Sequence, residues 1–308
     1  MLDNKVHQFL TDNQFSRLHI NPIDKCQKQV QHVLQICNSI INKQQVTYLI
    51  QKQPTPPTLQ ARLKLHKPGI PIRPIVNNIN TPTHKTAKHV SKLLKDYLTL
   101  NNEYIVQNSV DIAQNISNLR INPNCRIISC DITDLYVNIP IQEVLHVTKH
   151  FLHQNKMETQ SKEQIIAILK EILAQNYFCF NNEFCQPTKG IAMGSPTSGI
   201  MAEIFLQYYE DIYIKHLPEN RSILFYACYV GDTLIIYDQT FIHADTVTAR
   251  LNAVHKKIIF KPTLESNNNI RYLDLLLKRK DNHSELDIYR KPISKAYIES
   301  LYRKPTAT

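Results

Sequence analysis

Glycine is scarce in this chain: only five of its 308 residues are glycine. A backbone needs glycine where φ is positive or where another backbone or a ligand comes very close. With so few of them, the chain can place such features at only a handful of positions. The five are Gly69, Gly190, Gly194, Gly199 and Gly231. We therefore expect tight turns or close contacts within residues 190–199 and at residue 231.

The apolar pattern predicts an α+β protein. The run CRIISCDI, residues 125–132, is typical of a buried strand, and residues 141–154 have the apolar spacing of a helix. The runs LFYACYV and TLIIYD flank Gly231 and Asp232 and predict a tight β-hairpin. Ser195 followed by Pro196 predicts the start of a helix. Strands interleaved with helices and hairpins are typical of the α+β class.

Weaker patterns predict the remaining elements. Residues 1–50 are predicted to be helical, and the prolines that follow at 54, 56 and 57 favour a boundary near residue 52. The other predicted elements are two strands at 61–67 and 71–76 around Pro68 and Gly69, a basic helix at 84–98, and a hairpin that turns at Asn181 and Asn182.

Composition narrows the class of partner. The net charge is +10 and the pI is near 9.1, which favours an acidic partner such as nucleic acid, although a merely basic protein fits these values equally well. The seven cysteines include no CxxC pair, so we expect reduced thiols and an intracellular protein that is not secreted. No apolar run approaches the length of a membrane span.

A carboxylate stands at the end of the predicted buried strand. Asp131 closes the run IISC, where its charge would reach the rim of a sheet. Hard divalent cations bind carboxylate oxygens, and nucleotidyl transfer uses two such cations about 3.5 to 4 Å apart. Taken alone, Asp131 fits a helix or turn cap as well as it fits a metal ligand.

Six motifs in order make the sequence resemble the reverse transcriptases of Penelope-like retroelements. SCDITDLYVNIP at 129–140 resembles their motif A, and TKGIAMGSPTSGIMAEIF at 188–205 resembles their motif B. CYVGDTLIIYD at 228–238 occupies the place of their tyrosine-x-aspartate-aspartate box. LKLHKPGIPIRPIV at 63–76 resembles the fingers motif, RYLDLLL at 271–277 the primer-grip strand pair, and YRKP at 289–292 the segment after it.

The resemblance implies a fold and an activity. The implied fold is a right-hand polymerase-like reverse transcriptase fold, in which an antiparallel palm sheet is backed by helices. The implied regions are an N-terminal helical segment 1–52, fingers 53–119, a palm 120–280 and a truncated connection 281–308. The implied activity is RNA-directed DNA synthesis on an RNA template and a DNA primer, with deoxynucleoside triphosphates and two Mg²⁺ ions, or Mn²⁺ in their place.

Each motif also implies roles for its residues. Asp131 and Asp232 would be the catalytic metal ligands, and Tyr136 would lie under the sugar and exclude a 2′ hydroxyl. Lys67 and Arg73 would hold the triphosphate, a role that Lys64 fits less clearly. The floor under the templating base and the nucleotide would be formed by Gln186, Gly190, Met193, Gly194 and Ser195.

One position departs from the family pattern. The hairpin turn of the family carries two adjacent aspartates, whereas this chain has Gly231 and then Asp232. Asp134 and Asp238 are the nearby acids, but neither has a spacing that the family uses for metal. Two hypotheses follow: a reverse transcriptase with impaired activity, or an inactive remnant that still binds primer and template.

The end of the chain departs from the family as well. The sequence has no room for a full thumb or for the GIY-YIG endonuclease domain of typical Penelope-like elements, and Gly199 replaces a proline that is usual in motif B. These losses suit a decayed or repurposed copy as well as a trimmed fragment. A retroelement polymerase acts on chromosomal DNA, so the expected location is the nucleus.

Overall fold

The computed structural model describes residues 2–12, 15–64, 69–100, 104–214, 222–281 and 283–290. Within them the chain forms ten α-helices, twelve strands and one short π-helix. The helices are α1 (Leu2–Asp12), α2 (Ile23–Ile36), α3 (Lys43–Leu49), α4 (His84–Tyr97), α5 (Ser109–Ser117), α6 (Leu135–Asn138), α7 (Ile141–Gln154), α8 (Thr159–Ala174), α9 (Ser198–Tyr209) and α10 (Ala244–Ala253), and the π-helix is Glu210–Ile214. Every helix in this part of the chain is too short or too polar to cross a bilayer.

The strands form three separate sheets. They are β1 (Phe15–Leu18), β2 (Thr58–Leu63), β3 (Ile72–Asn77), β4 (Cys125–Ile132), β5 (Phe178–Phe180), β6 (Glu183–Pro187), β7 (Ile223–Tyr229), β8 (Asp232–Asp238), β9 (Phe260–Leu264), β10 (Asn269–Tyr272), β11 (Leu275–Arg279) and β12 (Ser284–Ile288). A five-stranded sheet has the order β1-β6-β5-β2-β3, a four-stranded sheet β7-β8-β4-β9, and a three-stranded sheet β10-β11-β12. The four-stranded sheet is antiparallel throughout.

Most elements with a strong sequence pattern are confirmed. β4 and α7 have the predicted bounds, and β7 and β8 form a hairpin with a two-residue turn. The β5–β6 hairpin turns at Asn181 and Asn182, both with positive φ (48° and 63°). β2 and β3 are antiparallel partners, while Pro68 of their predicted turn lies outside the described residues.

Two local predictions are wrong. The predicted helical segment 1–50 contains a strand, β1, because Phe15–Leu18 pairs with the distant strand β6 and the Phe15 ring packs on Phe178 at 5.4 Å. Ser195 does not start a helix: its carbonyl accepts from Ser198 N–H at 3.1 Å, so residues 195–197 form a turn. α9 begins at Ser198, preceded by Thr197 at its N-cap position.

The four-stranded sheet is buried on both faces. One face carries Cys125, Ile127, Leu234 and Ile236, which pack with α5 and with β10 and β11. The other face joins the largest core, built from α2, α3, α4, α7, α8, α9 and α10, through Ile128, Cys130, Ile132, Ile235 and Tyr237. This mixture of helices and antiparallel sheets confirms the predicted α+β class.

Residues 190–194 form a strap between the four-stranded and five-stranded sheet regions. Ile191 N–H donates to the Tyr136 carbonyl of α6 at 2.8 Å, and Met193 accepts from Val76 N–H of β3 at 2.8 Å. Gly190 (φ +76°) and Gly194 (φ +118°) make this possible, because a Cβ would lie 2.4 Å from the Val137 oxygen and 2.3 Å from the Val76 oxygen. The expectation of close backbone contacts at these glycines is confirmed.

Gly194→Ala is therefore expected to destabilise the protein by at least about 2 kcal/mol, from positive-φ strain and a clash with a backbone oxygen. The matched control is Gly199→Ala in α9, where nothing lies within 4 Å of an added Cβ. Removing glycine from a helix should stabilise it by about 0.5–1 kcal/mol. Urea unfolding measures both changes, and equal values for the two variants would contradict this account of the strap.

A buried acid lies under the face of the sheet that joins the largest core. Glu210 is only 6% exposed and accepts a 3.0 Å hydrogen bond from the Tyr226 hydroxyl. It lines a cavity of about 250 Å³ together with Tyr136, Cys228 and Val230. Burial raises the pKa of the Glu210 carboxyl to about 7, so it stays protonated in the folded protein at pH values where an exposed glutamate ionises.

Glu210→Gln is expected to stabilise the protein increasingly as the pH rises. Between the ordinary pKa of 4.5 and about 7, the unfolded chain loses this proton while the folded chain keeps it, so wild-type stability falls through this window. The difference between variant and wild type should grow by up to roughly 3 kcal/mol from pH 5 to pH 8. Urea unfolding at four pH values measures it, with Glu163→Gln on the surface of α8 as control. A constant difference would show that Glu210 is ionised in the fold.

Candidate active site

The register of β4 and β8 brings the two predicted metal ligands together. Asp131 and Asp232 are direct cross-strand partners. Directly opposed residues of an antiparallel pair lie on the same face, with Cβ atoms about 4.5–5.5 Å apart. Both side chains are exposed, and both lie on the face that carries Ile127 and Leu234.

The same row continues to the neighbouring strands. Asp232 is opposite Tyr229 of β7, and Asp131 is opposite Lys261 of β9. One face of the sheet thus presents an aromatic ring, two carboxylates and an ammonium group in sequence. The positive charge of Lys261 partly neutralises the negative charge of Asp131. It therefore weakens the attraction of the two carboxylates for a cation.

The turn between the two strands differs in detail from the prediction. The two turn residues are Val230 and Gly231, one position before the predicted Gly231 and Asp232, and positive φ occurs at Val230 (53°) but not at Gly231. The Gly231 carbonyl accepts from Ile132 N–H at 2.9 Å, which ties the turn to the end of β4. A Cβ at 231 would meet Leu135 Cδ2 at 3.5 Å and Ile132 Cβ at 3.7 Å, both ordinary contacts. A Cβ atom is therefore accommodated at this position.

The two carboxylates open into a cleft of about 660 Å³. The walls come from elements distant in sequence: Asn108 at the N-terminus of α5, Thr263 of β9, and Arg271 and Tyr272 of β10. The Arg271 guanidinium stacks 4.6 Å above the ring of Tyr289, which also lines the cleft. The cleft has two carboxylates at its base and an exposed arginine stacked on an aromatic ring at its wall. Carboxylates attract cations and a guanidinium group binds phosphate, so the cleft suits a phosphate group beside a cation.

Asp131 and Asp232 are paired by the strand register, and a third acid, Asp274, also lines the cleft, although it does not come from the hairpin turn where the resembled pattern has its third carboxylate. In the described ranges, no group of three or more histidine, cysteine or acidic side chains is arranged to hold a metal ion. Asp134 precedes α6 with φ 47°. Asp238 lies at the opposite end of β8 from Asp232, where it accepts bonds from Thr240 and Asn122 that lower the pKa of its carboxyl. The Asp238 carboxylate is thus hydrogen-bonded within a turn that lies away from the cleft.

Some of the residues predicted to bind the nucleotide lie around a second cavity. Tyr136 and Met193 line a mainly apolar cavity of about 390 Å³ with Pro74, Val76 and Phe178. Gly190 and Gly194 belong to the strap along this cavity, and Ser195 follows it. Tyr136 also lines the smaller cavity that contains Tyr229, so it lies between the strap and the hairpin. Burial raises the pKa of the Tyr136 hydroxyl, which keeps it neutral.

The other predicted nucleotide ligands are not brought to these cavities. Arg73 is an exposed residue of β3 opposite Arg62, and the Gln186 side chain donates to the Ala174 carbonyl at 3.3 Å. Neither residue lines the two cavities above. Lys67 lies outside the described residues, and the backbone N–H of Lys64, just after β2, donates to the Pro71 carbonyl at 2.8 Å.

Sequence reasoning missed several residues of the cleft. Asn108 caps α5 by accepting from Val110 and Asp111 N–H at 2.8 and 3.1 Å, a pattern visible as asparagine before a helix. No sequence pattern indicated Lys261, because its position beside Asp131 depends on the register of β9. Tyr272 was visible in RYLDLLL, but its contact with the hairpin depends on packing between two sheets.

Comparison with known proteins bears on the fold. The sequence matches no protein-family model and no curated protein. Its structure is similar to telomerase from Candida albicans, solved with a fragment of telomeric RNA, with a TM-score of 0.59 and 12% identity over 96% of this chain. A telomerase from Candida tropicalis gives 0.58 and 13% over 90% of this chain. The chain spans about half the length of these relatives, 51% and 50%. At such identity the similarity shows the fold alone, and we conclude that this chain has the polymerase-like α+β fold of that part of telomerases.

Proposed function

We propose that this chain is a template-directed nucleotidyltransferase domain of the reverse transcriptase type, and its motifs resemble those of Penelope-like retroelements. The observation that carries the proposal is the cross-strand pair Asp131–Asp232 at the edge of a cleft, in a fold shared with telomerases. Its substrates would be deoxynucleoside triphosphates, an RNA template and a DNA primer. Fingers and palm would correspond to the five-stranded and four-stranded sheets, and a nuclear location would follow from action on chromosomal DNA.

The donor set fits one hard divalent cation. Asp131 and Asp232 supply oxygen ligands on one face of the sheet, and Mg²⁺ is commonly held by one or two carboxylates together with substrate phosphates. Bound there, Mg²⁺ or Mn²⁺ would supply Lewis-acid stabilisation of the transferred phosphoryl group. Arg271 would hold the backbone of the primer or template, and Tyr136 would contact the sugar of the incoming nucleotide.

Gly231 impairs the proposed activity. The family pattern has a third carboxylate at this turn position, and glycine offers no ligand. Losing one preorganised charged group from an active site costs about 3–4 kcal/mol of transition-state stabilisation, or roughly 10²- to 10³-fold in rate. We therefore expect slow polymerisation and an unaffected fold, because position 231 carries no positive-φ requirement.

Gly231→Asp is expected to increase primer extension on an RNA template by roughly 10²- to 10³-fold in Mg²⁺. Gly231→Asn is the matched control, since asparagine has nearly the volume of aspartate without the charge, and it should extend no faster than the given chain. Single-turnover extension of a labelled primer measures all three. Adding Asp131→Asn to the faster variant should remove the gain.

Two results would count against this proposal. Equal extension by the given chain and by Gly231→Asp would show that the missing ligand does not matter. A gain in Gly231→Asn as large as in Gly231→Asp would assign the effect to turn geometry instead of charge.

The alternative is a binding module without catalysis. It is favoured by the absence, among the described residues, of a group of three side chains arranged to hold a metal ion, by the ammonium of Lys261 beside Asp131, and by the net charge of +10. Such a remnant would hold primer and template in the same cleft through cations directed at phosphates. Binding of primer and template would then not depend on which residue occupies position 231.

Both hypotheses predict a steep salt dependence of binding to a primer–template duplex. Arg271→Gln should lower affinity and reduce the slope of log K against log salt by about one, because one phosphate contact is lost. Lys170→Gln, which removes the same charge from the exposed surface of α8, should leave the slope unchanged. Fluorescence anisotropy over a salt series measures both. A flat salt dependence of the given chain would exclude nucleic acid as the partner of the cleft.

A further inference from the structure

The side chain of Tyr272 contacts the acidic hairpin from a different sheet. Tyr272 ends β10, in the three-stranded sheet, and its hydroxyl donates to the carbonyl oxygen of Asp232 at 2.8 Å. The residue is only 3% exposed and packs in the cluster under the carboxylate-bearing face. A single hydroxyl thus connects the three-stranded sheet to the backbone of a candidate metal ligand.

The bond lies at the point where the hairpin closes. Asp232 and Tyr229 are the cross-strand pair on either side of the two-residue turn, and the Tyr272 hydroxyl also interacts with the backbone of Tyr229. A buried hydroxyl needs hydrogen-bond partners, and this one finds them at the base of the turn. Burial is the largest cause of the raised pKa of Tyr272, so the group remains a neutral donor.

The tip of the hairpin is partly exposed and has an unfavourable backbone conformation. Tyr229 and Val230 are 37% and 45% exposed, and Val230 adopts a φ of 53°, which is unfavourable for a β-branched residue. The Gly231 carbonyl is held by β4 from the side, through Ile132. Tyr272 supplies a restraint from the cleft side, directly at the residue whose carboxylate faces Asp131.

We propose that Tyr272 is a positioning residue: its hydroxyl fixes the backbone of Asp232 and thereby sets the carboxylate of Asp232 against that of Asp131 for cation binding. The inference rests on the proposed function for the identity of the bound group. Phenylalanine at this position would keep the ring packing of Tyr272 and lose the interactions of its hydroxyl with the backbone of Asp232 and Tyr229. No contact between Tyr272 and substrate is required.

Tyr272→Phe in the full chain tests this role, and Tyr237→Phe is the matched control. Tyr237 is also buried on β8, at the end far from the hairpin turn. Mn²⁺ binding, followed by electron paramagnetic resonance with Mn²⁺ alone, should weaken by roughly 2- to 10-fold in Tyr272→Phe, the range for loss of one hydrogen bond. Tyr237→Phe should bind Mn²⁺ as the given chain does, and Asp232→Asn should abolish binding.

Amide hydrogen exchange of the peptide covering residues 226–236 provides the second measurement. Tyr272→Phe should exchange faster there than both the given chain and Tyr237→Phe, while urea unfolding shows that all three remain folded. Unchanged Mn²⁺ affinity together with unchanged exchange would overturn the inference. If the given chain binds no Mn²⁺, the proposed cation site fails, and exchange alone decides whether Tyr272 holds the hairpin.

Discussion

The antiparallel pairing of β4 with β8 is the constraint on which the candidate site depends. Side chains alternate between faces along a strand, so a slip of one residue would move Asp131 and Asp232 to opposite faces. The register is held by burial on both faces, with Ile127 and Leu234 on one side and Ile128 and Ile235 on the other. The chemistry at the strand ends is thus positioned by apolar packing along the whole length of the strands.

A second constraint joins this sheet to the five-stranded sheet. The strap at 190–194 is bonded to α6 on one side and to β3 on the other, and its two glycines allow backbone contacts that any Cβ would prevent. Because α6 follows Asp131 by four residues, the strap also fixes Tyr136 beside the hairpin. The scarcity of glycine elsewhere in the chain makes these two positions the points where the two regions can approach so closely.

The sequence was most informative where a local pattern and the tertiary environment agree. β4 and α7 have the predicted bounds, because a buried strand and an amphipathic helix carry their burial pattern in the sequence. β1 was missed because its pairing with β6 is a contact across more than 160 residues. The aspartate pair followed from motif resemblance, whereas the neighbourhood of Lys261, Arg271 and Tyr272 depends on register and on the packing of one sheet against another. No pattern in a single sequence contains that information.

At the hairpin, different residues carry the features that matter for folding and those that matter for the proposed chemistry. The unfavourable backbone conformation is at Val230, the departure from the resembled sequence pattern is at Gly231, and the contact with the neighbouring sheet is at Asp232. Position 231 has room for a side chain and no need of glycine. An added Cβ there would make only ordinary contacts, so the fold does not dictate the identity of residue 231. The identity of residue 231 therefore bears on the proposed chemistry more than on folding.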